Sequence, residues 1–188
     1  VTVRGAVSIG RRLADPLAEL VKIDPKSIGV GQYQYDVDQL ALKEELDSVV
    51  RHCVNTVGVN INTASKSLLQ YVSGIGSTLA DNIVKHRNES GAFTSRAALK
   101  NVPRYGDKVF EQSAGFLRVP SSAQVLDNTA VHPENYELVQ KMAAGAKVGL
   151  NEFISNSKVL EQVDLKAYCN TVTGLPTLKD IIEELKRP

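Results

Sequence analysis

The stretch from Ser65 to Phe110 repeats itself, and this repeat limits the folds open to the chain more than any other feature. Laying 65–80 over 95–110, an offset of 30 residues, pairs Ser65 with Ser95, Lys66 with Arg96, Leu69 with Leu99 and Val72 with Val102. The match continues through Gly76 and Gly106, Leu79 and Val109, and Ala80 and Phe110. Each copy has apolar residues at helical spacing, a tight glycine-containing turn and a second helical run, which predicts two hairpins of helices. Between the copies, Asn88-Glu89-Ser90-Gly91-Ala92-Phe93 supplies a glycine that breaks the preceding helix and a phenylalanine placed to plug a shared core. Two hairpins packed together bury what one cannot.

The flanks are also helical in pattern, so the predicted class is all-α: two tandem hairpins flanked by helical segments. Val7, Leu13, Leu17, Leu20 and Val21 give one helix from about Arg4 to Val21, stopped by Asp24-Pro25. Residues 27–36, with Gly29 and Gly31, predict an extended connector. Leu42, Leu46, Val49, Val50, Cys53 and Val57 mark a longer helix over 37–57, ended by Gly58. After residue 120, His132-Pro133-Glu134 opens a helix to about Ala144, and 151–166 is poorly patterned. A last helix has Thr177 and Asp180 as a capping box, with Leu178, Ile181, Ile182 and Leu185 on one face. No strand-length alternation follows Asn62. The expected segments are 1–58, 59–119 and 120–188.

A formal net charge of +1 hides an uneven distribution. Residues 59–119 carry 8 Lys+Arg against 4 Asp+Glu, whereas 1–58 carry 7 against 8 and 120–188 carry 7 against 9. A basic centre between mildly acidic neighbours suits one anion-binding module and two scaffolding segments. Cys53 and Cys169 lie far apart without CxxC or Cys/His spacing, so they are expected to be free core thiols, with no disulfide framework, metal or cofactor. No apolar run reaches the roughly 18 residues of a membrane span and no signal-peptide pattern opens the chain, which predicts a cytoplasmic protein with no membrane partner. The chain opens at Val1 and closes on Lys186-Arg187-Pro188 just after a helical pattern, so it is expected to be a piece of something longer.

The first turn, Ser73-Gly74-Ile75-Gly76-Ser77, carries the chemistry. Gly74 and Gly76 allow unusual backbone conformations and leave their amides uncovered, while Ile75 points inward and pins the turn. The exposed amides, with those of Ser77 and Thr78, then open a helix running to about Arg87, where free N–H groups and the helix dipole favour an anion. The expected partner is the phosphate backbone of DNA or RNA, bound without strong sequence preference because amides aimed at phosphate do not read base edges. In the second copy Arg104, Tyr105, Gly106 and Lys108 occupy the turn. Lys85, Arg87, Arg96 and Lys100 are expected to add long-range attraction.

His52, His86 and His132 lack a nearby nucleophile or ligand partner, and Glu44-Glu45 and Glu183-Glu184 are simplest as exposed helix faces. The expectation is a non-enzyme without a small-molecule substrate. In Thr173-Gly174-Leu175-Pro176-Thr177, which superficially repeats the hairpin turn, Pro176 removes an amide donor, so that segment is expected to be structural. The alternative for the whole chain is a scaffold that orients neighbouring domains and contacts protein partners.

Val59-Asn60-Ile61-Asn62-Thr63-Ala64-Ser65, Leu68-Leu69, Gly74-Ile75-Gly76, His86-Arg87, Gly91-Ala92-Phe93 and Leu99-Lys100-Asn101-Val102-Pro103 together resemble a tandem helix-hairpin-helix domain of the competence-protein type. The flanking Arg11-Arg12-Leu13-Ala14-Asp15-Pro16-Leu17, Lys26-Ser27-Ile28-Gly29-Val30-Gly31-Gln32-Tyr33-Gln34, Ala114-Gly115-Phe116-Leu117-Arg118 and Ala130-Val131-His132-Pro133-Glu134 extend the resemblance, over nearly the whole chain, to the Tex family of bacterial transcription accessory proteins. That resemblance implies nucleic-acid binding, a role with the transcription machinery, an RNase H-like domain before residue 1 and an S1 domain after residue 188. Against the family's hairpins, the first turn has Thr78 where a basic residue is common. The second has Lys108 there but Arg104 in place of the first glycine. Each copy thus lacks half of the usual phosphate site.

Overall fold

The computed structural model describes residues 2–169 and 173–186. The predicted first helix is two: α1 (Thr2–Ala14) and α2 (Pro16–Leu20). Asp15 makes the break, because its carboxylate accepts from the Ala18 amide at 3.1 Å and Pro16 can start a helix but not continue one. No residue of α1 is buried, and Leu13, one of the apolar positions that mark the helix, is 90% exposed. The predicted extended connector starts within a short helix, α3 (Pro25–Ile28), capped by Asp24, and continues through turns in which the Gln34 side chain accepts from the Val30 amide. α4 (Gln39–Val57) starts on Asp38, whose carboxylate accepts from Leu40 and Ala41, and stops at Gly58.

The repeat folds as two hairpins. Strand β1 (Val59–Asn60) leads into α5 (Lys66–Leu69), capped by Ser65, and α6 (Ser77–Ser90). The second copy replaces the first helix with a 3₁₀ turn (Ala97–Asn101), followed by α7 (Asp107–Ser113) and strand β2 (Leu117–Arg118). β1 and β2 pair in parallel, with Val59 opposite Leu117, and tie the start of the repeat to its end. Two residues are too few for alternation to show in the sequence. Leu69, Ile83, Leu99 and Phe93 pack in one core, which Val54 of α4 also enters.

A second core gathers Leu126, Val139, Met142, Phe153, Leu160, Leu178 and Ile181. It is built by α8 (Tyr136–Gly145), α9 (Leu150–Ser155), α10 (Ser157–Glu161) and α11 (Leu175–Leu185). The poorly patterned stretch is thus helical but broken, because helices this short show no period. α11 begins two residues before the predicted capping box: Gly174 is its N-cap, no side chain caps it, and Pro176 sits in the first turn. The two cysteines are free as expected but exposed, not core. Glu184 is half-buried, whereas Glu183 is exposed as predicted.

Candidate nucleic-acid interface

The first turn has the predicted form. Gly74 is exposed with φ +80°, Ile75 is buried, and Gly76 is an extended N-cap (φ −85°, ψ 173°) with no side-chain cap on the helix it opens. Ser77 and Thr78 are exposed at the start of α6. A helix N-terminus that is uncapped and open to solvent is a place for an anion. α4 holds the turn from behind, where Asn55 accepts from the Ser73 amide at 3.2 Å and donates to the Ser73 hydroxyl at 3.2 Å. Gly74 is needed twice over, since a Cβ there would lie 3.0 Å from Cβ of Gln112 and an L residue rarely adopts its φ.

The second turn copies that backbone with different residues. Arg104 takes the left-handed place at φ +69°, Tyr105 is buried, and Gly106 is extended (φ −81°, ψ 172°). Tyr105 occupies the Ile75 position, and its hydroxyl pairs with Ser113, so its side chain holds the turn and does not face a ligand. Burial pushes the Tyr105 phenol up to about 12. The helix behind this turn is only 7 residues long and begins with Asp107, whose carboxylate takes the Lys100 ammonium at 2.7 Å. A hydrogen bond from Lys100 and its charge hold the Asp107 carboxyl below its ordinary range. An acid at the first helical position competes with an incoming phosphate. Asp107 aligns with Ser77, so the signal was present in the repeat and went unread.

Three cations expected to serve the interface are committed elsewhere. Arg96 is 1% exposed and lies between the two cores. Arg87 donates to the carbonyls of Ile61 at 2.7 Å and Ala64 at 3.0 Å, stapling α6 to the chain after β1. Lys100 is held by Asp107 and lies 4.8 Å from the Phe110 ring centre. Lys85, Arg104 and Lys108 are exposed. A long guanidinium or ammonium that finds carbonyls or a carboxylate nearby folds back, and sequence spacing does not reveal that choice.

The sequence reading missed a third turn of this kind. Lys147 (φ +58°), Val148 and Gly149 (φ −68°, ψ 154°) lead into α9, and Gly174 (φ −85°, ψ 170°) opens α11 with the backbone of Gly76. Lysine in the first place and a short following helix concealed the Lys147 turn. Among the described residues no group of three His, Cys, Asp or Glu is arranged to hold a metal, and no helix is long and apolar enough to cross a membrane. His86 stacks on Phe93 with ring centres 5.4 Å apart, and the His132 ring meets the Glu111 carbonyl at 3.1 Å.

Residues 54–118 match the helix-hairpin-helix motif family and residues 124–188 match the HHH domain family. The transcriptional accessory protein Tex of Neisseria gonorrhoeae is 55% identical over 188 residues, 100% of this chain and 25% of that protein. Protein YhgF of Escherichia coli is 51% identical over 188 residues, 100% of this chain and 24% of that protein. S1 RNA-binding domain-containing protein 1 of Homo sapiens is 36% identical over 240 aligned residues, covering 98% of this chain and 24% of that protein. The chain spans about a quarter of the length of these curated relatives. With two tandem helix-hairpin-helix domains and 51 to 55% identity along its whole length, the chain is a homologue of the matching quarter of the Tex and YhgF proteins.

Proposed function

We propose that the chain binds the phosphate backbone of DNA or RNA, chiefly at the Gly74-Ile75-Gly76 turn, with little dependence on base sequence. The observation that carries this reading is the uncapped, solvent-open start of the 14-residue helix α6 beside two exposed glycines. Ser77 and Thr78 contribute amides, and Lys85 lies further along the same helix. Arg104, Gly106 and Lys108 form a weaker second contact, opposed by Asp107. The chain acts as a binding module of a cytoplasmic transcription protein with no catalytic step of its own. Its partners are nucleic acid and the transcription machinery around it, without a membrane or a small-molecule substrate.

Fluorescence anisotropy with labelled single- and double-stranded DNA and RNA across a salt series tests this reading. Binding that weakens steeply with salt is expected. Gly76→Asp is the decisive variant, because Gly76 has an ordinary φ and a Cβ there would meet open space. Aspartate is also a good N-cap, so stability should hold or rise by a few tenths of a kcal/mol. Affinity should fall roughly tenfold, as a carboxylate fills the anion site and repels phosphate. Unchanged affinity removes the turn from the site.

The second reading is a scaffold that orients other domains. It is favoured by the inward commitment of Arg87 and Arg96, and by Val3, Ile9 and Leu13 of α1, which are 77%, 68% and 90% exposed. No binding to any of the four nucleic acids at low salt selects it.

A further inference from the structure

The two copies of the repeat treat one basic position in opposite ways. Lys66 in the first copy is solvent-facing and pairs with Asp81 at 2.6 Å. Its counterpart Arg96 is 1% exposed. The Arg96 guanidinium donates from Nε to the Leu117 carbonyl at 2.8 Å and from Nη1 to the Val131 carbonyl and the Tyr136 hydroxyl, both at 2.7 Å. Nη2 donates to the Thr129 carbonyl, and the Arg96 amide donates to Asp127 Oδ2 at 3.0 Å. Leu117 belongs to the first helix-hairpin-helix unit, whereas Asp127, Thr129, Val131 and Tyr136 belong to the second.

No carboxylate touches the guanidinium in these bonds. Compensation is relayed instead, since Tyr136 accepts from Arg96 and donates its own proton to Asp127 Oδ1 at 2.8 Å. Asp127 also accepts from the Ser122 hydroxyl at 2.7 Å. Four guanidinium bonds leave the charge solvated by protein dipoles in place of water. That environment exists only while the second unit sits where it does, because three of the four acceptors come from it. If the units separate, the Thr129 and Val131 carbonyls lose a charged donor and the Tyr136–Asp127 pair loses its cation.

We propose that Arg96 is the positioning residue that locks the two helix-hairpin-helix units into one rigid body. The second copy of the repeat has exchanged an outward basic side chain for an internal dock. Two domains of a chain otherwise move relative to each other unless a large apolar interface holds them, and here a buried polar network spans the junction. The inference is independent of whether the turns bind nucleic acid.

The exposed Cys53 and Cys169, one on each side of the junction, allow a direct test with nitroxide labels and pulsed electron–electron resonance on the full chain. Wild type should show a single narrow distance distribution. Arg96→Met, which keeps much of the length but none of the donors, should broaden it about twofold or more. Hydrogen exchange should meanwhile still protect Leu69 and Ile83 in one core and Val139 and Met142 in the other. A merely structural contribution would lower protection without changing the distance. A broad wild-type distribution, or a narrow one in Arg96→Met, overturns the proposal. If Arg96→Met loses protection in either core, the double variant Tyr136→Phe, Asp127→Asn takes its place. In that variant a broadened distribution supports the lock and an unchanged one overturns it.

Discussion

Asn82 and Gln112, 30 residues apart and equivalent in the repeat, each brace the turn of the opposite hairpin. The Asn82 amide donates to the Pro103 carbonyl at 2.9 Å, just before the Arg104 turn. Gln112 places its Cβ 3.0 Å from where a Cβ on Gly74 would lie. α6 thus reaches the second turn and α7 the first.

Gly74→Ala should destabilise the chain by about 1 to 3 kcal/mol, because the substitution adds both φ strain and a close approach to Gln112. Urea unfolding measures the loss. Measured against Gln112→Gly alone, which removes that Cβ, the double variant Gly74→Ala, Gln112→Gly should lose less, and the loss that remains is the cost of the backbone. Full recovery would mean that the left-handed φ costs nothing there.

Arg104→Gly should stabilise the fold by about 1 kcal/mol, since a non-glycine residue at φ +69° is strained and glycine is not. It also deletes an exposed cation beside the second turn. A higher midpoint in thermal unfolding together with a shallower salt slope of binding is expected. A lower midpoint would show that the Arg104 side chain makes contacts that outweigh the strain.

Asp107→Asn removes the carboxylate at the start of α7 and frees Lys100. Nucleic-acid affinity should rise about two- to fivefold at low salt, measured by anisotropy against wild type. The gain should vanish in the pair Asp107→Asn with Lys108→Ala if the second turn is its source. No gain in the single variant means that this turn does not meet phosphate.

Alkaline pH should destabilise the chain through Tyr105. Burial raises its phenol from 10.0 to about 12, so the folded state holds the proton more tightly than the unfolded chain does. The resulting stabilisation is complete below pH 10 and is lost as pH rises towards 12. Its size is roughly 2 to 3 kcal/mol. Burial also raises the Tyr136 phenol, which adds to the trend. Denaturant unfolding at pH 9 and pH 11.5 should show the loss, and Tyr105→Phe should flatten it. A pH profile identical in Tyr105→Phe and wild type would assign the loss to other groups.

Much of the hairpin pair was legible because its determinants are local. Gly74-Ile75-Gly76, the break at Gly91 and the burial of Phe93 follow from backbone freedom and apolar spacing within a few residues of each site. The split at Asp15-Pro16 was equally local but lay under an apolar pattern that runs through it. That pattern includes Leu13, yet the side of α1 bearing Ser8 meets Glu19 of α2 at 2.8 Å and Leu13 faces outward. Period shows that a helix has two faces and not which of them is covered.

The sequence by itself determined the helical class, the repeat, both glycine turns and the concentration of basic residues in 59–119. These depend on φ, spacing and count, all of which a linear chain carries. Tertiary structure alone decided which cations remain free. Lys66 and Arg96 stand at the same place in the repeat, yet the first points to solvent and the second is enclosed by Leu117, Thr129, Val131 and Tyr136. The difference arises because the acceptors that desolvate Arg96 lie 21 to 40 residues further along the chain. Only folding brings them within hydrogen-bond reach.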